Sequence, residues 1–323
     1  DAEDDEEDDE EGDEAASGDL LAGYPDDAED IQLLHSKIAS LPLLRLPRFA
    51  KTLHTLCLRQ NAISSLPASE FGPLTELEEL DVYDNAIKDE GVGKGSGVVG
   101  LAKLRILDLS FNLLRAVPPI LDTLPSLHTV YFVQNKITKI DGLASPSIGA
   151  SLTSLELGGN RIRMIEGLGA LVNLEELWLG KNKITKLENL SSLTKLRILS
   201  IQSNRIVKIE NLDALENLEE LYLSHNGVEK LEGLEKNVKL TTLDVGNNRV
   251  PEVENLSHLK ALTELWLNDN QIPTLHALSP ELGHIAALET IYLEGNPCQR
   301  DDQSGYRRKV QLALPQVQQV DAT

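Results

Sequence analysis

Apolar positions in this chain recur in a fixed 22-residue unit between residues 152 and 270. The unit opens Leu152-x-x-Leu155-x-Leu157-x-x-Asn160-x-Ile162 and continues with Ile165, Leu168 and Leu171. Further copies begin at Leu174, Leu196, Leu218, Leu240 and Leu262, with Asn182, Asn204, Asn226, Asn248 and Asn270 in the asparagine slot. Looser copies carry Asn61, Asn85, Asn112 and Asn135 upstream and Asn296 downstream, and a degenerate one puts Ser36 where the asparagine belongs. Together these make twelve rungs. The alternation Leu155-Glu156-Leu157 has period two, so each unit predicts a short strand with two side chains turned inward. The asparagine follows the strand, where its amide can satisfy turn backbone and hold register. Apolar residues at every third position of the return leg suit a 3-10 turn or an irregular arc.

No such unit buries its apolar side alone, so the copies must stack into one continuous core. Period and pattern are those of leucine-rich repeats. The expected fold is an α/β repeat solenoid: a horseshoe of about twelve rungs, with short parallel strands on the concave face and a 3-10 or irregular convex arc. Solenoid ends need covers. Tyr306, Val310 and Leu314 have helical spacing, and residues 306–323 read as a C-terminal cap on a solenoid spanning 28–305. Leu41, Leu44 and Phe49 close the other end.

Charge separates off one more segment. Residues 1–30 hold 17 Asp and Glu and no Lys or Arg, which leaves 35 acids against 30 bases in 31–323. Residues 1–27 therefore read as a disordered acidic arm. This balance argues against sequence-independent nucleic-acid binding, which needs a basic patch. The longest basic run, Arg307-Arg308-Lys309, is short for an anionic membrane surface, and no apolar run approaches a bilayer span. Two cysteines and an N-terminus unlike a signal peptide suggest a reducing compartment.

Catalytic and metal chemistry find little support. The seven histidines occupy non-equivalent slots, and no pair has metal-ligand spacing. Cys57 and Cys298 lie ten rungs apart, about 48 Å at ~4.8 Å per strand, and cannot bridge. Cys298 takes an isoleucine slot and is expected in the core. Gly95-x-Gly97-x-x-Gly100 lacks a surrounding βαβ unit and reads as a flexible loop rather than a phosphate cradle. Glu166, Glu188, Glu210, Glu232 and Glu254, with Lys186, Lys208 and Lys230, read as a solvated, charge-paired outer surface.

The informative column is the residue between the two strand leucines, which points away from the core on the concave side. Down the rungs it reads Gln32, Cys57, Asp81, Asp108, Tyr131, Glu156, Trp178, Ser200, Tyr222, Asp244, Trp266 and Tyr292. Five of the twelve aromatic residues lie here, both tryptophans among them. Strand preference explains buried rings, not rings in outward slots. Aromatics among acids have the make-up of an interface. From Asp108 to Tyr292 the column spans about 38 Å, enough for a protein interface of ordinary size.

The segments Thr55-Leu-Cys-Leu-Arg-Gln-Asn61, Leu221-Tyr-Leu-Ser-His-Asn-Gly227 and Tyr306-Arg-Arg-Lys-Val-Gln-Leu-Ala-Leu-Pro315 resemble the leucine-rich-repeat regulatory subunits of protein phosphatase 1, the regulatory subunit 7 family. The likeness spans roughly residues 28–323. It implies a protein that is not an enzyme and has no cofactor. Such a protein is monomeric by itself and holds the phosphatase catalytic subunit on its concave face. That family is associated with a metal-deficient, inactive catalytic subunit during maturation, acts alongside a small inhibitor protein, and is linked to mitosis in nucleus and cytoplasm. Contact positions carried over by the resemblance are Asp108, Glu156, Asp244, Glu264, Trp266 and Tyr292, with Tyr131 and Trp178 standing where the family often has Phe. Tyr222 joins them as another ring of the same column. No Phe or Trp completes the short basic-Val-x-Phe docking peptide common among phosphatase regulators: Val130-x-Phe132 lacks the basic residue in front. Binding would then use the folded surface. The acidic leucine-rich nuclear proteins that bind histones are the alternative, set apart by a C-terminal acidic tail and a shorter solenoid.

Overall fold

In the computed structural model, which describes residues 20–322, each rung contributes a three-residue strand centred on its first inward residue, and a two-residue strand ends the series. The strands are β1 (Asp30–Gln32), β2 (Thr55–Cys57), β3 (Glu79–Asp81), β4 (Ile106–Asp108), β5 (Thr129–Tyr131), β6 (Ser154–Glu156) and β7 (Glu176–Trp178). They continue as β8 (Ile198–Ser200), β9 (Glu220–Tyr222), β10 (Thr242–Asp244), β11 (Glu264–Trp266), β12 (Thr290–Tyr292) and β13 (Gln319–Val320). All pair in parallel, in chain order, as one sheet of 13 strands. The register never slips: Leu155 faces Leu177, Leu177 faces Leu199, and Leu199 faces Leu221. This is a leucine-rich-repeat horseshoe.

Strand leucines and return-leg residues form a single core. Leu155, Leu157, Ile162, Ile165, Leu168 and Leu171 of one rung are all buried, and each such side chain contributes about 1.5–3 kcal/mol through removal from water. The return legs are single tight turns, such as Leu171 N–H to Leu168 O at 3.0 Å and Leu174 N–H to Leu171 O at 3.1 Å. Longer rungs absorb their extra residues in short helical turns at Asp89–Val92, Pro146–Ser151 and Leu278–Leu282.

The ladder asparagines tie rung to rung. Asn182 Nδ2 donates to Leu157 O of the preceding rung at 2.9 Å and to Leu179 O of its own at 3.0 Å, while Oδ1 accepts from Ile162 N–H at 3.0 Å. Asn204 and Asn248 repeat the arrangement. A second ladder lies on the convex turn. Asn189, Asn211 and Asn255 sit at φ 57°, 60° and 58°, and each donates Nδ2 to a carbonyl of the rung before, Ile165, Leu187 and Leu231. Gly167 and Gly233 take the same slot with φ 70°; a Cβ at Gly167 would lie 2.3 Å from Ile140 O.

Three expectations need correction. The sheet has a thirteenth strand, because the end of the capping segment pairs with β12 through Ile291 and Val320. Asp321 follows Val320, opposite Tyr292, and its side chain replaces the next rung's backbone carbonyl: Oδ1 accepts from Leu293 N–H at 2.8 Å and Glu294 N–H at 3.0 Å. Period-three apolar spacing hid this strand. The helix Tyr306–Ala313 buries Tyr306 and Val310, and Leu314 beyond its end is buried as well. Secondly, packed chain begins ahead of residue 28: Leu21 is 0% exposed in the core, and Tyr24 Oη donates to Gln32 O at 3.2 Å. One leucine in an acidic run was too weak a pattern to notice. The rest of the expected disordered arm, residues 1–19, lies outside the described residues. Thirdly, the Gly95–Gly100 segment is packed rather than loose. Val98 is 0% exposed, Ser96 Oγ donates to Leu66 O at 3.2 Å, and a Cβ on Gly97 would meet Pro67 O at 2.6 Å. Cys57 and Cys298 are both free and buried.

Extending a deletion from residues 1–19 to residues 1–27 should lower the melting temperature by several degrees, because it strips Leu21 from the first rung at a cost of about 2 kcal/mol. Equal melting of the two truncations by calorimetry would show that Leu21 does not close that end.

Candidate partner-binding surface

Strict register turns each strand position into a column, and the third position carries the aromatics. Pairing sets Trp178 beside Ser200, Ser200 beside Tyr222, Tyr222 beside Asp244, Asp244 beside Trp266, and Trp266 beside Tyr292. Rings two strands apart would stand about 9–10 Å from one another if upright. Instead they lean together over the small residue between them. Trp178 and Tyr222 stack with centroids 6.4 Å apart at 20°, and Tyr222 meets Trp266 edge-on at 6.4 Å; Trp266 then meets Tyr292, directly beside it on the next strand, at 5.6 Å. Four rings thus form one unbroken half-buried line across β7–β12.

The residues between the rings are covered as a result. Ser200 and Asp244 are each 3% exposed. Asp244 Oδ1 accepts from Gly246 N–H at 2.9 Å and Oδ2 from Gln202 Nε2 at 3.2 Å. Asp244 is therefore part of the floor that holds the rings, not the free contact charge expected from its outward slot. Glu264, two residues before Trp266 on β11, stays half-exposed on the same face. Tyr222 Oη donates to Glu220 Oε2 at 2.7 Å, and burial together with that carboxylate pushes the Tyr222 hydroxyl well above the ordinary tyrosine range.

The remaining expected residues gather in the other half. Asp108, Tyr131 and Glu156 follow one another on β4, β5 and β6. Burial, and secondarily the Asp108 charge, push the Glu156 carboxyl up from its usual value. Burial and then the Glu156 charge do the same to the Tyr131 hydroxyl. Two outward strand acids with one tyrosine between them leave the free protein carrying charge it would rather share with a cation. Asp108 already has some help from Arg59, whose guanidinium lies 3.5 Å from Asp108 Oδ2 and 2.7 Å from Asp81 Oδ2.

That arginine belongs to a cluster missed in the sequence. Arg59 lies over the Tyr83 ring at 4.6 Å, and Tyr83 meets the Phe111 ring at 4.8 Å. Arg59 and Tyr83 sit two residues past the strand's last residue, a column read as turn. The residue after them takes φ near +55° at Gln60, Asp84 and Phe111, which swings Phe111 out to 40% exposure. The only legible signal was an aromatic in a slot where later rungs have Gly158, Gly180 and Gly246.

No group of three or more metal-ligating side chains exists among the described residues. No helix there is long and apolar enough to cross a membrane.

Leucine-rich-repeat family models match residues 74–94, 102–145, 150–235, 216–261 and 238–280. The chain is a leucine-rich-repeat protein. An internalin (InlF) of Listeria monocytogenes shares its fold with a TM-score of 0.68 and 22% identity, over 91% of this chain and 87% of that one. Among curated proteins, protein phosphatase 1 regulatory subunit SDS22 of Saccharomyces cerevisiae is 48% identical over 102 residues, which is 32% of this leucine-rich-repeat chain and 29% of the yeast protein. The protein phosphatase 1 regulatory inhibitor subunit PPP1R7 homolog of Arabidopsis thaliana is 36% identical over 149 residues, 45% of this chain and 40% of that protein. These matches span less than half the length of each curated relative.

The raised Glu156 carboxyl gives a test with a definite sign. A group whose folded pKa lies above its unfolded value adds stability below the unfolded pKa and loses it as pH rises through the folded one. At neutral pH the Glu156 charge therefore costs stability. Glu156→Gln should raise the melting temperature by about a degree near pH 7, and the gain should vanish below about pH 4. A variant less stable at neutral pH would mean that the carboxylate is favourably paired.

Proposed function

We propose that this leucine-rich-repeat chain is a non-catalytic regulatory subunit of protein phosphatase 1 that seats the catalytic subunit in its concave face. The observation that carries the reading is the line Trp178–Tyr222–Trp266–Tyr292, four interleaved rings on the outward side of the sheet. Rings held by neighbours lose little freedom on binding and offer a large area to desolvate. The yeast and plant relatives, named as regulatory subunits of that phosphatase, support the choice of partner. Asp108, Glu156 and Glu264 supply charge at the flanks of the line and suit basic groups on the partner. In this role the chain performs no chemistry. It works in nucleus and cytoplasm, governs maturation or activity of the catalytic subunit, and admits a small inhibitor protein as a third component.

Trp266 has a ring neighbour on each side, Tyr222 and Tyr292, and sits near the middle of the C-terminal half of the face. Trp266→Ala should weaken binding of purified catalytic subunit by about 2 kcal/mol, roughly 30-fold, with little loss of folding stability. Lys208→Ala on the outer arc, where Lys208 bridges the half-buried Glu210 and Glu232, should leave affinity unchanged. Calorimetry on the two variants, with metal analysis of the wild-type complex, tests the reading. Wild-type affinity in Trp266→Ala would remove the concave face from the interface, and recovery of histones rather than phosphatase from lysate would replace the partner.

A further inference from the structure

Beside the concave face, the turn edge of the middle rungs carries a second surface. The residue after each ladder asparagine donates its N–H to the preceding rung: Lys136 to Leu114 O, Arg161 to Ile137 O, Lys183 to Ile162 O and Arg205 to Ile184 O, all at 2.8 Å. These bonds hold the four positions one strand spacing apart, so their cations form a column about 14 Å long. Arg163 and Lys181 widen it. Segments 134–138, 159–163, 181–185 and 203–207 contain these six cations and no carboxylate. None of the six makes an ion pair with a described residue. Their neighbours differ, since Lys139 lies 3.9 Å from Asp141 and Lys208 reaches both Glu210 and Glu232. Asp89 and Glu90 share a pocket with Lys136 at one end, and Glu156 lies in the groove near Lys181; elsewhere the row of like charges repels itself and favours an anion from outside.

Between this column and the concave face runs a groove of about 390 Å³, with Phe111, Val133 and Trp178 as its apolar lining, Glu156 and Gln202 among its polar lining, and Lys181 its one cation. Glycine in the slot that follows the strand keeps the groove open. The groove shares Trp178 with the ring line, so it is continuous with the candidate interface.

We propose that this edge docks an extended acidic segment of a partner polypeptide, with its carboxylates along the Lys136–Arg205 column and an apolar side chain in the groove against Phe111 and Val133. An extended peptide presents alternate side chains about 6.8 Å apart, so two or three carboxylates match the column. A polyphosphate chain fits less well, because it has no apolar group to place against Phe111 and Val133. The inference goes beyond the phosphatase reading and does not require it.

The probe is a fluorescein-labelled twelve-residue peptide of glutamates with one central phenylalanine, titrated with the full chain at about 50 mM and about 300 mM salt. Comparison ligands are the same peptide with Gln for every Glu and a twelve-nucleotide oligouridine. The glutamate peptide should bind at least tenfold more tightly than the glutamine peptide and weaken with salt. R161E/K183E, and independently the milder R161Q/R205Q, should lose most of that preference. K195E/K239E should keep it, since those lysines pair with Asn173 and Asn217 on the descending side. Equal binding of the two peptides, full binding by both column variants, or tighter binding of oligouridine would overturn the proposal. So would peptide binding that appears only after removal of residues 1–19, which would assign the column to this chain's own acidic run.

Discussion

Everything in this molecule rests on one repeated hydrogen-bonding unit, the buried asparagine that reaches back to the rung before it. Its Nδ2 satisfies carbonyls on two rungs and its Oδ1 takes an N–H of the earlier one, as at Asn160, Asn182 and Asn270. A rung that slipped by one residue would orphan these buried groups, each at a cost of about 1–3 kcal/mol, and turn its leucines outward. Thirteen strands consequently stay in register without a break. The C-terminal end is closed by a different side chain. At the C-terminal end a carboxylate, Asp321, accepts the N–H groups of the last full rung, with the Tyr306 hydroxyl donating to it at 3.2 Å.

Because register is fixed, a choice of residue at one position becomes a surface feature several rungs long. Trp or Tyr alternating with Ser200 and Asp244 gives rings room to lean over a small or well-bonded neighbour. The result is a stiff apolar strip where bulky residues on every strand would have crowded. Cations following the asparagines give a basic edge, and glycines between the two give the groove. Acids on β3, β4 and β6 give the other half of the concave face a different chemistry, with Arg59 already shared between two of them. The acidic half is set up for charge and the aromatic half for burial.

Most of this could be read from the chain, for a physical reason. Period-two leucines and a one-per-rung asparagine identify the strands, and alternation then dictates that Trp178, Tyr222, Trp266 and Tyr292 face outward. What alternation cannot give is how far a side chain leans once it is out. Asp244 looked exposed by its slot and is closed over by rings two strands apart. β13 escaped notice because Val320 pairs at the end of a segment whose spacing suggested a cap alone, and Leu21 because one buried leucine makes no pattern. The convex asparagine ladder was hidden by its alternation with glycine at Gly167 and Gly233, two residues that share only a tolerance for positive φ.

The chain's two tryptophans, Trp178 and Trp266, both lie on the ring line, which allows the central claim to be measured directly. Protein labelled with 5-fluorotryptophan should give two fluorine resonances, each assigned by removing one tryptophan. On addition of unlabelled phosphatase catalytic subunit both should shift and lose their sensitivity to exchange of H₂O for D₂O, as the rings leave water. A stable complex in which both resonances and their solvent sensitivity stay unchanged would place the partner elsewhere and contradict the account.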